Sequence, residues 1–232
     1  MINKISIIMP AYNEAQTVEG VLDMILESDT LKLEKEIIVV DDGSTDKTVE
    51  ILERRSADIH NLIFKKKNGG KGSALVEGFK AATGDLILIQ DADYEYSPSE
   101  YPMLIRPFLE HNADVVYGSR FSATGVRRVL FFWHAIANRC LTCLSNCFTN
   151  LNLSDMETGY KVFKRSMVSD MVLNERGFGI EPELTQKLAD KNCVFFEVGI
   201  SYFGRTYEEG KKIGVKDAIR AFYVIVRYGV LK

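Results

Sequence analysis

No apolar run in this 232-residue chain approaches the ~20 residues that a helix needs to span a bilayer. A strand-like segment, Ile5 to Met9, begins almost at once. That leaves no room for the charged region, apolar core and cleavage site of a secretory leader, so a cytoplasmic protein is expected. Cysteine is scarce, with four residues, which excludes a disulfide scaffold. Three of them, Cys140, Cys143 and Cys147, are spaced as one helical face among Leu141, Leu144 and Phe148, with no fourth ligand nearby in sequence. Buried cysteine behaves as a small hydrophobe, so these are expected to pack rather than bind metal. An excess of one charge is also missing. The net charge of −3 gives no reason to expect a nucleic-acid partner. No G-x-G-x-x-G follows the first strand, which counts against a nicotinamide dehydrogenase. Asn68-Gly69-Gly70-Lys71-Gly72-Ser73 lacks the G-x-x-x-x-G-K-[ST] spacing of a P-loop, although a helix N-terminus with Lys71 still favours a phosphate. Internal repeats, low-complexity stretches and linkers are absent too.

What is present is alternation. Apolar runs at 5–9, 36–40, 61–64, 86–89 and 114–117 read as buried strands, separated by amphipathic stretches near 15–27, 45–57, 71–82 and 99–110. Strand and helix in turn imply an α/β fold with a mainly parallel sheet covered on both faces. Beyond Arg120 the pattern changes to a long apolar helix at 129–148, short strands at 159–163 and 193–203, a helix near 181–191 and an amphipathic helix at 214–230. Residues 201–232 carry seven basic and three acidic side chains, a local balance of +4.

The strand ends carry the chemistry. Asp91-Ala92-Asp93 closes the apolar run Leu86 to Ile89. Two carboxylates one residue apart at the mouth of a buried strand repel each other, and a hard divalent ion relieves that repulsion. The first strand ends in Pro10-Ala11-Tyr12-Asn13-Glu14, an aromatic ring and a carboxylate suited to a nucleobase, or equally a helix-capping turn. The second ends in Asp41-Asp42-Gly43-Ser44-Thr45-Asp46. A capping turn accounts for Ser44 to Asp46 and leaves the doubled aspartate unexplained. In open α/β sheets ligands bind at this edge.

These motifs, with Gly70-Lys71-Gly72 and Gln90-Asp91-Ala92-Asp93, resemble family 2 glycosyltransferases of the GT-A fold, a Rossmann-like sheet flanked by helices. Gly118-Ser119-Arg120-Phe121, Asp155-Met156-Glu157-Thr158-Gly159-Tyr160-Lys161 and the run from Gly204 to Lys212 are similar to the dolichyl- or polyprenyl-phosphate sugar synthase branch. The resemblance implies a single domain over 1–232, with a nucleotide-sugar half at 1–118 and an acceptor and interface half at 119–232. It implies an inverting transfer of mannose or glucose from a GDP- or UDP-sugar to a polyprenyl phosphate, with Mg²⁺ or Mn²⁺. Pro10, Tyr12, Glu14, Val40 and Asp42 would hold the nucleoside. Asp91, Ala92 and Asp93 would meet the diphosphate, and Arg205 and Lys211 would close over it. Asp91, Asp93 and Glu95 would hold the metal, and Arg120, Arg127 and Arg128 the acceptor phosphate. Asp93, Arg120 and Asp155 form the expected catalytic set. Val76 and Gly159 depart from the family, which often has arginine and cysteine there.

A phosphate monoester has its second pKa near ~6, so a lipid-phosphate acceptor is already anionic and needs cations rather than a base. A hydroxyl acceptor would need a base, for which Asp155 and Glu157 are the candidates. Alternatively both are ion-paired to Lys161 or Lys164. Phe131, Phe132 and Trp133 beside Arg127 and Arg128, with the basic C-terminal helix, suit peripheral contact with an anionic membrane. A core helix and an oligomer contact remain as alternatives, as do a membrane-protein partner and a nucleotide-sugar-binding module without turnover.

Overall fold

The computed structural model describes residues 2–122, 128–129, 131–206, 208 and 214–230; Arg127 and Lys211 lie outside them. Each sequence-level strand is present. They are β1 (Lys4–Ala11), β2 (Glu34–Asp41), β3 (Asn61–Phe64), β4 (Leu86–Ile89), β5 (Val115–Ser119), β6 (Lys161–Lys164) and β7 (Phe195–Gly199). The helices are α1 (Val18–Glu27), α2 (Thr48–Arg54), α3 (Lys71–Ala81), α4 (Tyr101–Glu110), α5 (Phe132–Thr149), α6 (Ile180–Ala189) and α7 (Val215–Val230). The described strands form one sheet in the order β3-β2-β1-β4-β6-β5-β7. All pairings are parallel except those of β6, which runs antiparallel to both β4 and β5.

Successive side chains of a strand point to opposite faces, and β1 shows the consequence. Ile5, Ile7 and Met9 pack with α1 and α4 through Val21, Leu22, Leu104 and Phe108. Ile8 packs on the other face with Ala74, Leu75, Leu184 and Ile225 from α3, α6 and α7. Strands covered on both faces read as unbroken apolar runs, which is why they are visible in the sequence.

Helix α5 corrects one expectation. Cys140, Cys143 and Cys147 are exposed, whereas Thr142 and Ser145 are buried. The helix turns its polar face inward because the chain leading into β6 needs partners for its backbone. Asn146 Nδ2 donates to Leu153 O at 2.8 Å, and Thr142 Oγ1 accepts from Met156 N at 3.1 Å. The cysteines therefore do not fill the core, and among the described residues no group of three or more His, Cys, Asp or Glu side chains is placed to hold a metal ion.

Gly78 faces inward from α3, and a Cβ there would collide with Cγ2 of Ile8, which is fully buried. Helix propensity favours Gly78→Ala by up to ~1 kcal/mol, but overpacking a close-packed core costs ~1–3 kcal/mol. The balance is a destabilisation of up to about 2 kcal/mol, read as a lower urea midpoint with an unchanged slope.

Candidate active site

The C-terminal ends of β1, β2, β4, β5 and β7 share one edge of the sheet, and the reversed direction of β6 brings its preceding residues to the same place. A cavity of about 370 Å³ opens there. Pro10, Tyr12, Glu14, Asp42, Asp91, Ala92, Asp93, Glu95, Arg120 and Arg205 all line it, so most of the residues singled out from the sequence converge. Val40 does not. Its side chain is fully buried in the core with Ile8 and Ala74, because it sits inside β2 rather than beyond its end. Arg128 is also outside the lining, where its Nη1 donates to Gly204 O at 3.2 Å.

The doubled aspartate after β2 divides its labour. Asp41 Oδ2 accepts from Gly43 N and Ser44 N at 3.1 and 3.0 Å, forming the turn. Asp42 instead faces the glycine loop, accepting from Gly69 N at 3.0 Å and Gly70 N at 2.6 Å and pairing with Lys65. Gly70 holds φ +89°, in the left-handed region where only glycine is unstrained, and a Cβ there would sit 2.6 Å from Arg176 O. That loop starts α3 and places Lys71 Nζ 2.8 Å from Asp91 and 3.3 Å from Glu181. Burial would lower the Lys71 pKa, but these carboxylates outweigh it and raise it, so the ammonium stays charged.

Burial, with the negative charges of Asp91 and Glu95, pushes the Asp93 carboxyl up to about 7. Arg205 answers that excess of negative charge. Its guanidinium pairs with Asp93, reaches Glu95 Oε1 at 3.3 Å and Glu14 Oε2 at 3.3 Å, while Tyr202 OH donates to Glu95 Oε2 at 2.9 Å. A guanidinium bridging carboxylates from the ends of β1 and β4 stands where a cation is wanted. Hard oxygen donors that stay open on one side fit Mg²⁺ or Mn²⁺, which retain water and phosphate ligands. Asp91 and Asp93 suit that role. All three carboxylates hold side-chain cations, Asp91 with Lys71, and Asp93 and Glu95 with Arg205, and Glu95 accepts from Tyr202 as well, so an ion at Asp91 and Asp93 would take the place of those contacts.

Asp155 lies behind the pocket, fully buried, not within its lining. Both oxygens hold Arg120, at 2.6 Å to Nε and 2.7 Å to Nη2, and Asn138 Nδ2 donates to Oδ1 at 3.0 Å. Both oxygens of Asp155 are thus occupied, and they fix the orientation of the Arg120 guanidinium. Burial opposes the charge on Arg120, but Asp155 overcomes it and raises the pKa well above the ordinary value. The alternative, in which Asp155 and Glu157 pair with Lys161 or Lys164, is not what is seen: Lys161 pairs with Glu181, and Lys164 with Asp114 at 2.7 Å. Sequence reasoning missed Glu181, Tyr96 and Tyr202 in the lining. Glu181 follows an ordinary helix start, and nothing local in the sequence distinguishes it from a surface acid.

Residues 6–172 match the family described as Glycosyl transferase family 2. The chain is 30% identical over 230 residues to a dolichol-phosphate mannosyltransferase of Pyrococcus furiosus, covering 97% of this chain and 64% of that protein. It is 28% identical over 214 residues to an undecaprenyl-phosphate 4-deoxy-4-formamido-L-arabinose transferase of Proteus mirabilis, covering 90% and 63%. The chain thus spans a little under two thirds of the length of these relatives. Among solved structures it is similar to glucosyl-3-phosphoglycerate synthase from Mycobacterium tuberculosis in complex with Mn²⁺, uridine-diphosphate and glucosyl-3-phosphoglycerate. That match has a TM-score of 0.73 at 20% identity, over 97% of this chain and 80% of the other, and shows a shared fold. The sheet, the acidic strand ends and the match over residues 6–172 together mean that this chain belongs to glycosyl transferase family 2.

Proposed function

We propose that the protein transfers a hexose, mannose or glucose, from a GDP- or UDP-sugar to a polyprenyl phosphate with inversion, using both halves of the chain as one catalytic unit. The observation that carries this reading is one cavity lined both by the acidic pair Asp91 and Asp93 and by Arg120, a cation held on a buried aspartate. The relatives named for dolichol phosphate and undecaprenyl phosphate support it.

Asp42 and Tyr12 suit the nucleoside, and Lys71 and Arg205 offer positive charge to the diphosphate. Asp91 and Asp93 would hold Mg²⁺ or Mn²⁺, which when bound neutralises the charge that develops on the leaving diphosphate. Arg205 bridges Asp93 to its acidic neighbours, so donor loading would draw its guanidinium from carboxylate towards phosphate. Arg120 would meet the acceptor phosphate, and Asp155 keeps it aimed by a two-point contact that fixes its plane. An already anionic nucleophile needs no base, in keeping with an Asp155 wholly occupied by Arg120 and Asn138. Transfer to a hydroxyl is the second reading, favoured by Glu157, which lines the pocket and has an oxygen without a partner.

The approach of a lipid is supported by an apolar face beside Arg120. Among the described residues, no helix is long and apolar enough to cross a membrane. Yet Phe132 and Trp133 are 66% and 75% exposed on α5, and Val215 and Ile219 are 77% and 65% exposed on α7. Arg139 of α5 stacks over Phe121, next to Arg120, with 5.3 Å from its guanidinium carbon to the ring centre. Apolar side chains with basic neighbours suit peripheral attachment to an anionic leaflet.

Incubation with GDP-mannose or UDP-glucose, Mg²⁺ or Mn²⁺ and polyprenyl phosphate should yield a sugar-linked lipid, and no product under any combination would overturn the reading. Asp93→Ala should lower turnover by ~10²-fold or more; full activity would show that the pair does not anchor the donor. Sedimentation with vesicles containing anionic lipid should recover the wild type, and Phe132→Ser with Trp133→Ser should weaken that partition by about 10-fold. Equal partition of wild type and variant would remove α5 from the interface.

A further inference from the structure

The pocket contains one carboxyl oxygen that no described residue satisfies and a second that is met only by an ion pair. Glu157 Oε1 is buried without a hydrogen-bond partner among the described residues, Glu181 Oε1 is met only by Lys71 Nζ at 3.3 Å, and both residues line the cavity. Glu181 is only 3% exposed. Buried polar groups are nearly always paired, so an orphaned acceptor beside a loosely held one in the same cavity points to a ligand that supplies donors.

The neighbouring lysines pair with Glu181 and leave Glu157 Oε1 without a partner among the described residues. Lys161, fully buried, donates to Met156 O at 3.0 Å, to Thr158 O and to Glu181 Oε2. This clamp ties the segment carrying Glu157 to the start of α6, which carries Glu181, and so fixes the two carboxyls relative to each other. Lys71 lies between Glu181 and Asp91, at 3.3 and 2.8 Å. The carboxyl pair is therefore one ammonium away from the end of β4. Space between them is kept by Gly159, where a Cβ would stand 2.6 Å from Asp91 Oδ2 and 3.1 Å from the Tyr96 ring. Burial and the adjacent Glu181 also raise the Glu157 carboxyl to about 7, so near neutrality both its donor and its acceptor forms are populated.

We infer that Glu157 and Glu181 bind the hydroxyl groups of the donor sugar, with Glu157 determining which sugar is accepted and Lys161 positioning the pair. The inference rests on the nucleotide-sugar reading above and deepens it. A sugar joined to a diphosphate anchored at Asp91 would extend past Lys71 to these oxygens. Sites built to hydrogen-bond a substrate hydroxyl discriminate strongly against analogues lacking it, because the protein groups are then left unpaired.

The test compares wild type, Glu157→Ala and Glu157→Gln for binding of GDP, UDP, GDP-mannose and UDP-glucose by calorimetry in Mn²⁺. Glu157 Oε1 has no hydrogen bond to lose among the described residues, so thermal unfolding of the variants should stay close to wild type. For the accepted base, Glu157→Ala should weaken the sugar conjugate by ~10-fold while leaving the nucleoside diphosphate within about twofold. Glu157→Gln, which keeps the shape and hydrogen-bonding capacity, should recover most of that loss and change the preference between sugars. Equal loss for conjugate and diphosphate, or no loss for either, overturns the inference. So does abolished transfer with binding discrimination intact, which would make Glu157 a base. If the wild type binds no nucleoside diphosphate, the donor reading fails first and this inference with it.

Discussion

Strand β6 enters the sheet between β4 and β5 in reversed direction, pairing Leu88 with Val162 and Tyr117 with Lys161. Were it parallel, the residues preceding it would lie at the opposite edge. Because it is antiparallel, residues 155–160 meet the ends of β4, β5 and β7, and Asp155, Glu157 and Gly159 arrive beside Asp91 and Arg120. The second side of the cavity depends on that inversion. The polar inner face of α5 depends on it too, since Thr142 and Asn146 serve the backbone that leads into β6.

Charge balance is the second organising constraint. Within one pocket the protein gathers Glu14, Asp42, Asp91, Asp93, Glu95, Glu157 and Glu181, which is tolerable only because cations are placed among them. Lys71 holds Asp91, Arg205 bridges Asp93 with Glu95 and Glu14, and Lys161 holds Glu181 from below. Arg120 and Asp155 form a separate pair. Buried pairs of this kind add little net stability, but removing one partner strands a charge in a poorly solvated place. The arrangement therefore fixes orientation more than it stabilises the fold.

Much of this is legible in the chain. Strands covered on both faces announce themselves as apolar runs, and helix starts are marked by Ser97 and Asp46, whose side chains accept from Ser99 N at 3.4 Å and Thr48 N at 2.9 Å. The acidic strand ends are legible because sheet edges concentrate ligand contacts in α/β folds. The three cysteines of α5 face outward against expectation, because helical spacing gives a face but not which way it turns. Val40 lies in the core because a residue next to a binding motif is not thereby exposed to it.

The sequence by itself determined the alternation, the sheet edge and the identities of Asp42, Asp91, Asp93, Arg120 and Arg205 as its chemistry-bearing residues. The alternation and the acidic strand ends follow from local pattern, since apolar period and strand-end composition are properties of short segments, whereas Arg120 and Arg205 follow from the resemblance to the family. Tertiary structure decided the partners: Asp155 with Arg120, Arg205 with Asp93, Lys161 with Glu181, and for Glu157 Oε1 none among the described residues. Each pairing joins segments far apart in the chain. It depends on strand order and on the direction of β6, which no local spacing encodes.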